Sequence, residues 1–344
     1  MTAFWTEADF DDHEFVHFVR DHASGLTAII AVHSTHLGPG AGGTRFWHYP
    51  NPKDGLRDAL RLSRGMSYKN AMAGLPAGGG KAVLLADEAR TKTPEMLAAF
   101  ARAVEGLGGR YITAQDVGMS QDDMVALKAN TDHVAGLPGQ GGDPGPYTAR
   151  GVFLGVKAAA QRALGAGDMR GVRVAIQGLG SVGGGLARYL AAEGAELTLA
   201  DINRDRATAM AEELGGTAVS ADQILAAEAD IISPNALGAI ITEQSIDALK
   251  AKVVAGGANN QLATGSEGAM LRDRGILYAP DYVINAGGII NVLRHVDNAD
   301  DDEINARIDR IPGRLSQVWD ESDTSGQSPD VVADRMAQEL IGRA

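Results

Sequence analysis

Three residues of this chain combine the type and the surroundings that proton chemistry needs: Lys69, Lys81 and Asp116. Arginine outnumbers lysine 23 to 8, so a plain positive charge is usually written here as arginine. Lys69, in Met66-Ser-Tyr-Lys-Asn, and Lys81, after Gly78-Gly-Gly, lie 12 positions apart in stretches otherwise free of charge. A compact ammonium in such a place can anchor a small carboxylate, or lose enough pKa to join in proton transfer. Asp116 closes the strand-like run Arg110 to Gln115, where a carboxylate can serve as a general base. On residue type alone, each of the three fits an ordinary surface charge equally well.

Other chemistries are poorly supplied. With no cysteine in the chain, thiolate catalysis, disulfides and cysteine-ligated zinc are excluded together. Of the 8 histidines only His295 lies beyond residue 146, which argues against the histidine base of a 2-hydroxy acid dehydrogenase. His13-Glu-Phe-Val-His17 has the letters of a zinc-protease motif, but that motif needs a helix to bring both imidazoles to one ion. Its flank, Glu14 to Val19, is aromatic and β-branched and reads as a strand, where residues four apart stand about 13 Å apart. The acidic run Asp297 to Glu303 lacks the spacing and glycine of a calcium loop and reads as a solvated helix start. No metal is expected.

A cofactor is expected. Val172 to Gln177 runs as a strand into Gly178-Leu179-Gly180-Ser181-Val182-Gly183, a helical segment follows to about Ala192, and a second strand ends at Asp201. In such a unit the first glycine makes the tight turn, the second admits a pyrophosphate to the backbone, and the third packs helix on strand. The pyrophosphate sits on helix N-terminal amides, where the partial positive charge favours it. Asp201 stands where a carboxylate takes the ribose 2′-hydroxyl and repels a 2′-phosphate, favouring NAD over NADP. Arg204 and Arg206 keep NADP open as the alternative.

Two domains must carry these groups, because 344 residues are about twice one domain's usual length. The first third mixes strands and helices. Leu26 to Val32 reads as a buried strand, Pro52 to Met72 as a helix, and Thr93-Pro94 and Ser120 as helix starts. Residues 134–146 have the Gly/Pro content of a linker. Beyond them, strands at Val172 to Gln177, Glu196 to Ala200, Asp230 to Ser233, Lys252 to Ala255 and Ile276 to Ala279 alternate with helical stretches. That alternation is the pattern of a doubly wound parallel sheet. An amphipathic helix through Ile304 and Val318 is expected to kink at Pro312, and a last helix to start at Ser328-Pro329. The 44 glycines gather at 38–43, 78–80, 139–145, 178–185 and 287–288 and read as ligand-facing loops.

Composition narrows the class. A hydrophobic share of 44% suits a folded core, and a net charge of -13 without any basic block excludes a phosphate-tracking nucleic-acid binder. No apolar run reaches the roughly 18 residues of a membrane span. Met1 to Glu7 does not read as a secretory signal, so the cytoplasm is the expected compartment.

Five separated stretches besides the glycine turn carry a resemblance. They are Gly38-Pro-Gly-Ala-Gly-Gly-Thr-Arg45, Gly65-Met-Ser-Tyr-Lys-Asn70 with Leu75-Pro-Ala-Gly-Gly-Gly-Lys81, Tyr111-Ile-Thr-Ala-Gln-Asp-Val-Gly118, Gly257-Ala-Asn-Asn-Gln261, and Tyr278 to Gly288. Over nearly its whole length the chain resembles the Glu/Leu/Phe/Val amino acid dehydrogenase family. The resemblance implies an α/β protein of two domains with a cleft between them. One is a mixed-sheet substrate and oligomerisation domain, residues 1–140 plus 326–344, and the other a doubly wound Rossmann NAD-binding domain, residues 141–325. It implies reversible oxidative deamination of an L-amino acid to the 2-oxo acid and ammonia, with NAD as hydride acceptor. Lys69, helped by the Gly42 and Gly43 backbone, matches the holder of the substrate carboxylate. Lys81 and Asp116 match the catalytic pair. Asn259 matches a residue reaching both substrate and nicotinamide, while Thr148, Ile202 and Ala236 join Gly178 to Gly183 and Asp201 at the cofactor.

By the same resemblance the substrate side chain meets Ala41, Ala114, Ile289 and Val292, all apolar, so a second substrate carboxylate has no partner. Leucine, with isoleucine and valine, is the expected substrate. Ala41 is smaller than expected for that choice and keeps phenylalanine as the alternative. The departure at Asp87-Glu88 falls in an expected loop. The family implies a homo-oligomer, from dimer to octamer. An alternative of another class is a NAD-binding regulatory protein without turnover.

Overall fold

The computed structural model describes residues 4–139 and 143–343, which form two compact units. The first holds residues up to 139, with 292–300 and the chain end from Ala337; the second holds 143–291 and 301–336. The expected break between 140 and 141 lies outside the described residues.

Unit 1 runs β1 (Phe15–Asp21), β2 (Leu26–Ser34), β3 (Gly40–Trp47), α1 (Pro52–Met72), β4 (Gly78–Leu85), α2 (Pro94–Glu105), β5 (Tyr111–Gln115) and α3 (Gln121–Lys128). The sheet order is β1-β2-β4-β3-β5, antiparallel from β1 to β4 and parallel across β4, β3 and β5. Side chains alternate between faces. Leu26, Ala28, Ile30 and Val32 join Phe46, Leu84, Phe100, Val104 and Leu127 in one core. Ile29, Ala31 and Val83 pack on the other face against Ala59 and Leu60 of α1. Helix starts follow from the caps: Thr93 Oγ1 accepts from Met96 N–H (3.2 Å), and Ser120 and Asp123 close a capping box.

Two glycine runs expected as loops are strands instead. Gly40 to Gly43 open β3 and Gly78 to Gly80 open β4. The reason is close approach: a Cβ on Gly79 would stand 2.1 Å from Ser67 N and 2.4 Å from Ser63 O, so only glycine lets α1 lie on the sheet there. β1 places His17 in a strand, while the buried His13 ring bonds Leu60 O and Ser63 Oγ, both at 3.0 Å. The helix that a zinc-protease motif requires is not formed.

Unit 2 runs α4 (Gly145–Leu164), β6 (Arg173–Gln177), α5 (Ser181–Ala192), β7 (Glu196–Ala200), α6 (Arg204–Leu214), β8 (Thr217–Ala218), β9 (Ile231–Pro234), α7 (Glu243–Ala248), β10 (Val253–Val254), α8 (Glu267–Asp273) and β11 (Leu277–Tyr278). It continues through α9 (Asp281–Ile284), α10 (Gly287–Val292), whose last residue belongs to unit 1, α11 (Asp301–Ile308), α12 (Ile311–Ser325) and α13 (Pro329–Leu340). All six strands are parallel, in the order β11-β10-β9-β6-β7-β8. The expected helix through Pro312 is two helices rather than one kinked one: α11 stops at Ile308 and Pro312 sits in the first turn of α12, where its missing N–H costs nothing. The last helix is divided as well. Asp334 accepts from Tyr282 and Arg335 pairs with Glu321 in unit 2, whereas Gln338 bonds Tyr68 and Arg343 donates to the Asp11 and Asp12 carbonyls in unit 1. The return to unit 1 therefore falls at Ala337 and not at 326. No helix among the described residues is long and apolar enough to cross a membrane.

Candidate active site

The register of unit 1 places Lys81 and Asp116 close together. Along β3 and β4, Arg45 pairs with Val83, so Gly43 stands level with Lys81. Along β3 and β5, Gly43 pairs with Ala114 and Thr44 with Gln115, so Arg45 stands level with Asp116. Gly43 thus leaves a gap in the face between Lys81 on one flanking strand and Asp116 beyond the other. A Cβ on Gly43 would stand 2.8 Å from Asp116 Cβ and close that gap. Across it, Lys81 Nζ meets Asp116 Oδ2 at 2.8 Å.

Both groups are largely out of water, with side-chain exposures of 7% for Lys81 and 24% for Asp116. Burial lowers the Lys81 pKa, against the opposing pull of Asp116. Burial pushes the Asp116 carboxyl up, but Lys81 and Arg45 together outweigh it and hold it below its ordinary value. The pair therefore consists of a lysine brought nearer to neutrality and a carboxylate kept ionised.

Around this pair the other substrate-side positions divide. Lys69 lies on α1, half-buried, 11 residues or three turns after Asp58 and so on the same stripe of the helix. Gly42 lies close against β4 and α1: an added Cβ would meet Gly80 O at 1.9 Å and Met66 Cγ at 3.0 Å. Its carbonyl accepts from the buried Tyr111 hydroxyl at 2.8 Å. Asn70 Nδ2 donates to Gly78 O of β4 at 2.6 Å and to Ala41 O of β3 at 3.5 Å, tying the two glycine-rich strands. Ala41 is fully buried and Ala114 nearly so. Val292 approaches Gly136 in this unit, while the half-buried Ile289 lies on α10 in the other.

Unit 2 holds the Gly178–Gly183 turn at the carboxyl end of β6. Gly178 has φ +84°, a conformation that L side chains rarely adopt. A Cβ on Gly183 would meet Gly178 O at 1.9 Å, so helix and turn touch through backbone. Gly180 faces open space, and α5 begins there without a side-chain cap, leaving first-turn amides of Ser181 and Val182 for an anion. Asp201 accepts from Leu179 N–H and Asn203 N–H, both at 2.8 Å, with Arg206 at 3.5 Å. Burial raises its pKa, but these donors prevail and it stays below the usual value. Ile202 is 95% exposed beside it, and Ala236 packs on Gly178. Thr148 Oγ1 donates to Pro144 O at 3.0 Å, and Asn259 Oδ1 accepts from Asn285 Nδ2 at 2.8 Å. The open amide turn beside an anchored carboxylate fits a dinucleotide.

The sequence reading missed Arg45, Asp58 and Tyr49. Arg45 ends the Gly38–Arg45 stretch, but nothing in the local pattern of Asp58 marks it. Asn235 and Asn285 were missed too; they fix the Gly257 loop by accepting from its N–H (2.8 Å) and donating to its carbonyl (3.2 Å) respectively.

A mixed-sheet unit and a Rossmann-type unit of this kind are shared with known dehydrogenases of amino acids. Family models match residues 13–133, as the Glu/Leu/Phe/Val dehydrogenase dimerisation domain, and residues 197–340, as the Glutamate/Leucine/Phenylalanine/Valine dehydrogenase. Leucine dehydrogenase of Bacillus subtilis is 46% identical over 96% of this chain and 92% of its own. Phenylalanine dehydrogenase of Bacillus thermotolerans is 41% identical over 96% and 88%. The crystal structure of L-tryptophan dehydrogenase from Nostoc punctiforme matches with a TM-score of 0.88 and 40% identity, covering 96% of each chain. The hetero-hexameric glutamate dehydrogenase of Thermus thermophilus shares the fold, at a TM-score of 0.75 and 20% identity. The chain belongs to the Glu/Leu/Phe/Val dehydrogenase family and is an amino acid dehydrogenase.

Proposed function

We propose that the chain oxidatively deaminates aliphatic L-amino acids, leucine first with isoleucine and valine, using NAD, and runs the reverse amination as conditions dictate. The observation that carries this reading is the buried Lys81 ammonium resting on Asp116 at 2.8 Å. Lys69 pairs with the substrate α-carboxylate, and the Gly42-Gly43 backbone completes that grip. Asp116 accepts a proton from the substrate ammonium, freeing the nitrogen lone pair. NAD, held at the Gly178–Gly183 turn and Asp201, would supply the acceptor for the hydride that leaves Cα. Lys81, whose pKa burial lowers, gives up its ammonium proton to solvent at alkaline pH; the neutral amine then takes a proton from the water that attacks the iminium, and the ammonium so re-formed steadies the developing charge on the new oxygen. Asn259 orients the substrate from the Gly257 loop.

Apolar, buried Ala41 and Ala114 support an aliphatic side chain and offer nothing to a second carboxylate. Relatives named leucine dehydrogenase at 45–46% identity support the same choice. The anchored, ionised Asp201 supports NAD, and the dimerisation-domain match supports a homo-oligomer.

A screen of L-amino acids with NAD and NADP, read as absorbance of the reduced cofactor at alkaline pH, tests the whole reading. Leucine with NAD is expected to give the highest kcat/KM, and phenylalanine ahead of leucine would move the assignment to the alternative. The small Ala41 is the observation in favour of that alternative. In the same assay Ala41→Leu should lower the phenylalanine-to-valine ratio by roughly tenfold, since shape changes of this size are worth about 1–3 kcal/mol. An unchanged ratio takes Ala41 out of the pocket. Asp201→Ala should raise KM for NAD while leaving that for NADP level or lower; equal preference before and after would remove Asp201 from the ribose site.

A further inference from the structure

The Lys81–Asp116 pair does not stand alone. Arg45 Nε donates to the same Asp116 Oδ2 at 3.1 Å, and Arg45 NH1 donates to Asp58 Oδ2 at 2.7 Å. Asp58 is held in turn: Tyr49 donates its hydroxyl to Oδ2 at 2.8 Å and Arg61 donates to Oδ1 at 3.0 Å. The six side chains come from β3 and its following turn, α1, β4 and the residue after β5, and each is at most partly exposed. Both cations reach Asp116 through one oxygen. That leaves the Oδ1 edge for the substrate nitrogen, and it prevents the carboxylate from turning.

We propose that Arg45, braced by Asp58, is a positioning residue that aims Asp116 and sets the pH at which the Lys81–Asp116 pair becomes active. The inference rests on the proposed acid–base role of that pair. Its sign does not depend on which member loses the proton. A guanidinium this close favours the deprotonated form of either group, lysine or aspartate, and a coupled pair titrates as a unit. Removing the Arg45 charge must therefore move the pair's apparent titration up in pH. Removing the Asp58 charge must move it down, because Asp58 favours the protonated form and also occupies Arg45. The other ionisable groups around the pair are Tyr49 and Arg61, which act through Asp58, and Tyr111 on β5.

The test is the pH profile of kcat/KM for amino acid oxidation by the full-length enzyme. With Arg45→Met, the acidic limb is expected to move to higher pH by roughly one unit, with a loss of kcat as Asp116 is freed to rotate. Asp58→Asn should move the limb to lower pH, and Arg45→Lys, which keeps the charge but not the two-ended reach, should leave the limb near wild type while kcat falls. A structural role alone predicts lower activity in every variant with superimposed limbs, and that result overturns the proposal. So does an Arg45→Lys limb displaced as far as that of Arg45→Met. If Arg45→Met does not fold, the opposite-signed shift of Asp58→Asn decides. A wild-type enzyme without a limb or without turnover defeats the acid–base reading itself, which is a distinct outcome.

Discussion

Lys81→Ala is expected to cut kcat for amino acid oxidation by roughly 10³ or more while leaving NAD affinity unchanged. The reasoning begins with burial. Lys81 is 7% exposed and bonded to a carboxylate, so its ammonium is held out of water at a cost that only function or a good partner offsets. Deleting one member of a buried pair ordinarily strands the other. Here Asp116 keeps Arg45 at 3.1 Å, so the charge stays matched and the sheet around it should survive. The loss then falls on chemistry: no group remains to take the water's proton or to steady the oxygen that forms. The checks are steady-state kinetics beside NAD binding by calorimetry and a thermal melt. Wild-type turnover in the variant would remove Lys81 from the mechanism.

The second large effect separates two glycines of one turn. Gly183→Ala places a Cβ 1.9 Å from a backbone carbonyl that has no flexible end to give way. Helix α5 must shift against β6, at about 1–3 kcal/mol of stability, and NAD binding should fall with it. At Gly180 a Cβ meets nothing within 4 Å, so Gly180→Ala should keep the wild-type melting temperature. Its methyl nevertheless projects where the pyrophosphate is proposed to lie, and NAD should bind roughly tenfold more weakly or worse, about 1.4 kcal/mol or more. Full NAD affinity in Gly180→Ala would place the pyrophosphate elsewhere. The contrast is informative because the two variants add the same atom to the same turn.

Much of unit 2 is legible in its residues. A strand, a glycine turn, a helix and a second strand ending in an acid are local events, each fixed by periodicity, φ > 0 or a cap within a few residues. Short strands were still hard to bound: β10 spans Val253–Val254 and β11 Leu277–Tyr278, because two paired residues suffice between neighbours in a parallel sheet. β8 and the long α4 carry no such local mark. The first is two exposed residues, and the second begins in a Gly/Pro stretch that reads as linker.

Unit 1 yields less to local reading. β3, Gly-Ala-Gly-Gly-Thr-Arg-Phe-Trp, has no apolar alternation in its first half, so its glycines look like a loop. Glycine stands in this strand because its neighbours leave no room for a Cβ: Val32 at Gly40, Gly80 O and Met66 at Gly42, and Gln115 O at Gly43.

The chain's order of residues by itself determined the existence of the dinucleotide turn, the lysines worth suspecting and the family they belong to, since those signals lie within short windows. Only the tertiary structure decided that Lys81, Asp116, Arg45 and Asp58 share one network. Positions 45 and 116 are 71 residues apart, and what brings them level is strand register, a property of pairing and not of any single segment.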